Sequence, residues 1–144
     1  MPLHLQKLCV GAESFEDLEE WIEQTLEEKR SRGLAVEQVH TTRMAPSRAE
    51  DLLDGGSLYW VIKGVMQARQ RLLALRSVTG ADGISRCQLV LDPELVRVVP
   101  RPSRPFQGWR YLAHADAPSD MRDATKDAGL PAHIVVELKE LGLL

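Results

Sequence analysis

"GVMQARQRLLALR", residues 64–76, decides the fold, because its apolar positions read in two ways. Val65, Ala68, Leu72 and Leu75 recur at close to the 3.6 spacing of an amphipathic helix. The flanks favour a strand. "SLYWVIKGV" (57–65) before it is rich in aromatic and β-branched residues, and "TGADG" (79–83) after it is a hairpin turn leading into a partner, "GISRCQLVL" (83–91). A further strand, "ELVRVVP" (94–100), follows at short spacing. Strands without long intervening helices indicate an antiparallel sheet or small barrel and argue against a doubly wound fold.

Working outward, "LHLQKLCV" (3–10) alternates Leu3 and Leu5 with His4 and Gln6 and reads as a first strand. Ser14 stands three residues before Asp17, the capping-box spacing, and Phe15, Leu18, Ile22 and Leu26 give 15–31 the stripe of a surface helix with Trp21 beside it. Gly33 closes that helix. "AVEQVHTTRM" (35–44) makes another strand, and "PSRAEDLLDGG" (46–56) a short helix. Downstream, "DAPSDMRDATKDAG" (116–129) reads as a polar, mobile connection. Pro131 then starts a C-terminal helix with Ile134, Val135, Leu138 and Leu141 as its apolar stripe. The expected architecture is α+β, one domain over 1–144. A small antiparallel or mixed β-barrel, built mostly from 57–100, carries the 15–31 helix on one side and is closed at one end by the C-terminal helix.

Composition narrows the function. The chain has 144 residues, 44% hydrophobic and 27% charged, as an ordinary globular domain does. No run approaches the roughly 18 consecutive apolar residues of a membrane span, and no leader pattern precedes the first strand, so a cytoplasmic location is expected. Cys9 and Cys87 stand alone in different segments and read as reduced, buried thiols. Dinucleotide, P-loop, zincin and α/β-hydrolase signatures are missing, and His4, His40, His114 and His133 never fall at metal-ligand spacing. Neither a metal nor a cofactor is expected. Asp82, Asp92 and Glu94 flank turns and read as turn caps.

The net charge of −3 conceals an asymmetry. Residues 11–30 hold eight acids against Lys29 and Arg30, whereas 62–110 hold nine bases against three acids. A basic surface draws anions even on a mildly acidic protein. In "RPSRPFQGWRYL" (101–112), three of the seven aromatic residues sit among three arginines. Bases bind by stacking on aromatic or guanidinium planes while Arg and Lys hold phosphates. The candidate binding residues are therefore Tyr59, Trp60, Lys63, Arg69, Arg71, Arg101, Arg104, Phe106, Gln107, Trp109 and Arg110. The opposing expectation is a packed corner, with Gly108 at a positive φ turning the rings inward.

"LDGGSLYWVIKGVMQARQR" (53–71), "RCQLVLDPELVRVVPRP" (86–102) and "RPFQGWRYL" (104–112) together resemble, over essentially the whole chain, a family of short alphaproteobacterial proteins, domain-of-unknown-function family 1489. That resemblance implies a compact cytoplasmic protein and carries no activity with it. "LYWVIKG" (58–64) is also similar to the opening strand of EVE domains, which belong to the PUA-like group of small barrels that bind RNA or modified bases. EVE domains continue Ser-Glu-Pro after the lysine, where this chain has Gly64-Val65-Met66. Related ASCH domains include amidohydrolases of acetylated cytidine. Their G-x-K-x-x-E-x-R pattern, laid on Lys63, meets Val61, Met66 and Ala68 where it needs Gly, Glu and Arg. The resemblance implies a non-catalytic PUA-like module binding RNA or a modified nucleotide. The alternatives are a small hydrolase of modified nucleosides, with Lys63 as base beside Ser57, Thr41 or Thr42, and a protein-interaction adaptor using the acidic 11–30 helix.

Overall fold

A computed structural model describes residues 2–104 and 106–123. The elements run β1 (Leu3–Leu8), α1 (Phe15–Ser31), β2 (Gln38–Thr42), α2 (Ala49–Leu53), β3 (Ser57–Ile62), β4 (Val65–Thr79), β5 (Ser85–Leu91), β6 (Val96–Pro102), β7 (Trp109–Ala113) and a 3-10 turn, His114–Asp116. The expected C-terminal helix lies outside the described residues. The strands form one seven-stranded mixed sheet in the order β2-β5-β4-β3-β1-β7, with β6 also on β4. All pairs are antiparallel except β1 with β3.

Residues 65–79 are a strand, and two bulges explain the helical appearance of its sequence. Trp60 pairs with Ala68 but Val61 with Met66, which leaves Gln67 as an extra residue. Leu72 pairs with Leu91 and Ala74 with Val90, which leaves Leu73 over. Each insertion shifts the alternation by one. Leu72 and Leu75, three residues apart, therefore pack on the same cluster, and Met66 and Ala68, two apart, face opposite sides.

β3 is the centre of the sheet and is buried along its whole length, as its unbroken apolar run requires. Leu58, Trp60 and Ile62 join Leu5, Ala68, Leu72 and Leu89 in the larger core, which α1 covers with Phe15, Leu18 and Ile22. Tyr59 and Val61 turn to the other face with Met66, Val98 and Leu112. The two-residue turn between β3 and β4 has positive φ at both Lys63 and Gly64, matching the right-handed twist of the strands it joins. α1 begins where its cap indicates: the Ser14 hydroxyl accepts from Asp17 N–H at 3.1 Å. The acidic helix and the basic strands partly neutralise each other, through Arg97–Glu16 at 2.7 Å and Lys63–Glu13 at 3.6 Å.

Three expectations need correction. The pairing path has two ends, β2 and β7, so the described strands form an open sheet in place of the expected closed barrel. The gap is spanned by side chains. Trp109 Nε1–H donates to Met44 O at 2.7 Å, and Tyr111 Oη accepts from the backbone N–H of Ser47 and Arg48, tying the loop after β2 to β7. Second, 109–112, read as a site or corner, belongs to a strand paired with β1. Third, the "polar, mobile" connection is anchored to the sheet at its start: Met121 is buried, and Val98 forms an isolated antiparallel bridge with Asp120.

Candidate ligand-binding site

The second face of the sheet carries a cavity of about 480 Å3 between β1, β3, β4 and the segment after β7. Strand alternation supplies its floor. Ser57 and Tyr59 project from the same side of β3, and their cross-strand partners on β4 are Arg71 and Arg69. His4 arrives from β1, edge-on to Tyr59 with ring centroids 5.1 Å apart. His114, Ser119, Asp120 and Asp123 close the other wall.

Arg69 is clamped. Its Nε and Nη2 donate to the two carboxylate oxygens of Asp120, both at 2.7 Å, and its Nη1 donates to Ser57 Oγ at 3.2 Å. The pair is largely buried, with side-chain exposures of 22% and 13%. Arg69's hydrogen bonds hold the Asp120 carboxyl below the usual carboxylate range, against the opposing effect of burial. Asp120→Asn leaves a mostly buried guanidinium without its counter-charge, and is expected to cost about 3 kcal/mol in urea denaturation. A loss under about 1 kcal/mol would mean that the ion pair is solvated like a surface one.

The two histidines form a directed chain. The backbone N–H of Ser57 donates to His4 Nδ1 at 3.0 Å, so the proton of neutral His4 lies on Nε2. That nitrogen donates to His114 Nδ1 at 2.9 Å, which leaves the outward-facing Nε2 of His114 as its protonated nitrogen. Burial, followed by His114 and Arg69, lowers the His4 pKa to about 4. In the unfolded chain the same ring protonates near 6.5. This histidine's contribution is thus complete above pH 6.5 and falls as the pH drops from there towards 4. The expected slope is about 1.4 kcal/mol per pH unit for such a group. His40, also held to about 4, by burial and by Lys7, adds to the same fall. Melting temperatures between pH 7 and 4.5 should therefore decline, and His4→Gln should remove about half of the decline. An unchanged slope in that variant would show that His4 takes up its proton in the folded state.

Arg71 differs from Arg69. It is exposed at the cavity wall and has no side-chain hydrogen bond or ion pair among the described residues. A smaller hollow of about 220 Å3, lined by Arg69, Arg71, Asp92, Glu94, Val96 and Arg122, adjoins the cavity through the two shared arginines.

The structure thus gathers Tyr59, Arg69 and Arg71 and disperses the other candidates. Trp60 is in the larger core, its indole N–H donating to Gln70 Oε1 at 2.9 Å. Lys63 is at the tip of the β3–β4 turn beside Glu13. Arg101 donates to Asp116 O, and Arg110 lies over the Phe106 ring, 5.6 Å from its centroid. Arg104 and Gln107 are exposed, and Gly108 has a φ of +68°. Trp109 is half-buried, edge-on to Tyr111 at 4.9 Å. Lys63 and Ser57 stand at opposite ends of β3, about 20 Å apart at the strand rise, and Thr41 and Thr42 lie on β2. The base and nucleophiles of the hydrolase alternative are therefore not assembled. His4, His114 and Asp120 went unread in the sequence. The only local hint was a lone apolar Met121 within a polar stretch.

Fold and site together define an α+β protein with an open, curled mixed sheet and a polar cavity on one face. The chain belongs to the family described as protein of unknown function, DUF1489, whose model matches residues 5–144. No curated protein and no solved structure matches the chain, so the likeness to EVE and ASCH domains gains no support from them. Among the described residues no helix is long and apolar enough to cross a membrane, and no group of three or more His, Cys, Asp or Glu could hold a metal.

Proposed function

We propose that the protein is a non-catalytic binding module for RNA or a modified nucleotide, and that the cavity on the second sheet face holds the nucleotide. The observation that carries this is Arg71, an unpaired cation on the wall of a cavity that also holds Tyr59 and the clamped Arg69. A free guanidinium is suited to a phosphate, which it can grip with two parallel hydrogen bonds. The volume falls within the range of small-molecule sites, about 300–1,000 Å3. His114 Nε2–H and the hydroxyl of Ser119 offer hydrogen-bonding groups for a base edge. The exposed Arg104 and Arg110, outside the cavity, would take further phosphates of an RNA chain. A PUA-like ancestry is part of this reading and rests on the curl of the sheet, whose ends approach closely enough for Trp109 and Tyr111 to span the gap.

Fluorescence anisotropy with mononucleotides and short RNAs at 100 mM salt tests it. Arg71→Ala should weaken both ligands about tenfold, since a charge-assisted contact is lost. Arg104→Ala and Arg110→Ala should weaken RNA alone, and RNA affinity should fall with salt in proportion to the phosphates neutralised. Absence of binding by the wild-type protein, or binding untouched by Arg71→Ala, removes the assignment.

A further inference from the structure

We propose that the small hollow beside the main cavity is a ribose subsite, and that the ligand is a segment of RNA, two ribonucleotides joined by a phosphodiester at Arg71. This rests on the nucleotide reading of the main cavity. The hollow measures about 220 Å3 and is bounded by Arg69, Arg71, Asp92, Glu94, Val96 and Arg122. That is below the range of about 300–1,000 Å3 for a small-molecule site standing alone. It meets the main cavity along Arg69 and Arg71, which belong to both. A phosphate gripped by Arg71 stands at this junction, with one ester arm in each space.

The charges of the hollow decide what the second arm is. Arg69 is already neutralised by Asp120, to which it gives two hydrogen bonds at 2.7 Å. Once a phosphate takes Arg71, the carboxylates of Asp92 and Glu94 outnumber the one remaining cation, Arg122, which is itself 3.8 Å from Asp120. A second phosphate is repelled there. Hydroxyl groups are favoured, because a carboxylate is a strong acceptor for the hydroxyls of a ribose. Both acceptors are available: the Glu94 carboxylate has no hydrogen bond or ion pair among the described residues, and Asp92 uses only Oδ1, which accepts from Glu94 N–H at 2.9 Å. Their turn is fixed to the strand that carries Arg71. Asp92 N–H donates to Arg71 O, and Asp92 O accepts from Gln70 Nε2, each at 2.9 Å. Glu94 acts into the hollow, where it adds to the larger influence of Asp120 in keeping Arg69 charged. A 2′-hydroxyl read in this way distinguishes RNA from DNA.

The test is calorimetric titration at about 100 mM salt with ApA, CpC, GpG and UpU, their 2′-deoxy counterparts, and the matching nucleoside monophosphates and diphosphates. For the base that binds best, the ribodinucleotide should bind about tenfold more tightly than its deoxy counterpart, the value of one charge-assisted hydrogen bond, and more tightly than the monophosphate. The diphosphate should gain nothing over the monophosphate. Glu94→Ala, at an exposed position, keeps the fold and should lower the ribose preference to about twofold. Equal binding of ribo and deoxy dinucleotides, a diphosphate that outbinds the ribodinucleotide, or an undiminished preference in Glu94→Ala would each overturn the subsite. Mononucleotide binding lost in Arg71→Ala would then still uphold the main cavity. If no probe binds, both assignments fall together.

Discussion

Gly56→Ala should unfold the protein or lower its stability by more than about 3 kcal/mol, beyond the usual cost of an added core methyl. A Cβ at this position would collide with the backbone carbonyl oxygens of Leu3 and Leu52, and neither can swing aside as a flexible side chain could. The residue is also pinned from two directions. Its N–H donates to Leu52 O at 2.9 Å, closing α2, and its carbonyl accepts from Leu72 N–H at 3.0 Å. Relieving the collision would pull α2 away from β1 and displace Ser57, whose N–H orients His4. Gly55→Ala is the control. Its Cβ would come no nearer than 3.9 Å to a neighbouring atom, so only the left-handed φ of +87° is strained, for about 1 kcal/mol. Urea denaturation of both variants separates the effects, and equal losses would contradict the packing argument.

Trp60→Ala should cost about 3–5 kcal/mol, as for other large core aromatics. More informative is Trp60→Phe, which keeps most of the apolar volume but removes the indole N–H. Gln70 is fully buried, with Oε1 accepting from Trp60 and Nε2 donating to Asp92 O, both at 2.9 Å. Losing the donor strands a buried acceptor, for about 1–3 kcal/mol. Replacing Gln70 by Leu in the Trp60→Phe background should return part of that loss. If the double variant is no more stable than the single one, the penalty lies in ring packing and not in the stranded oxygen.

Much of the secondary structure was legible because local chemistry specifies it. Ser14, Asp17 and Gly33 gave α1 its limits, and TGADG gave the β4–β5 turn, where Gly80 N–H donates to Ile84 O. Register was not legible. The bulges at Gln67 and Leu73 leave no mark on residue type and only disturb the alternation. β7 was hidden by the prolines and glycine before it, and its density of aromatics and arginines drew attention as a binding signal. Two of those aromatics instead span the open side of the sheet. For the site, Tyr59, Arg69 and Arg71 were readable as candidates because they lie on neighbouring strands of one hairpin. The groups that complete the cavity come from afar: Asp120 meets Arg69 across 51 residues and His114 meets His4 across 110. Such pairings depend on topology, which a single chain's pattern does not encode.

That separation of 110 residues also orders events in time. β3 with β4 and β4 with β5 are neighbours in sequence, each pair needing only a short loop to close, and contacts of this kind form early. β1 has to wait for β3, and the His4–His114 contact waits longer still. On a ribosome, a chain stopped before residue 114 could already hold the β3–β4–β5 hairpins, yet its cavity would lack the wall that His114, Ser119, Asp120 and Asp123 supply. A ligand held in that cavity would therefore protect from proteolysis only chains that reach the segment after β7, leaving shorter ones exposed.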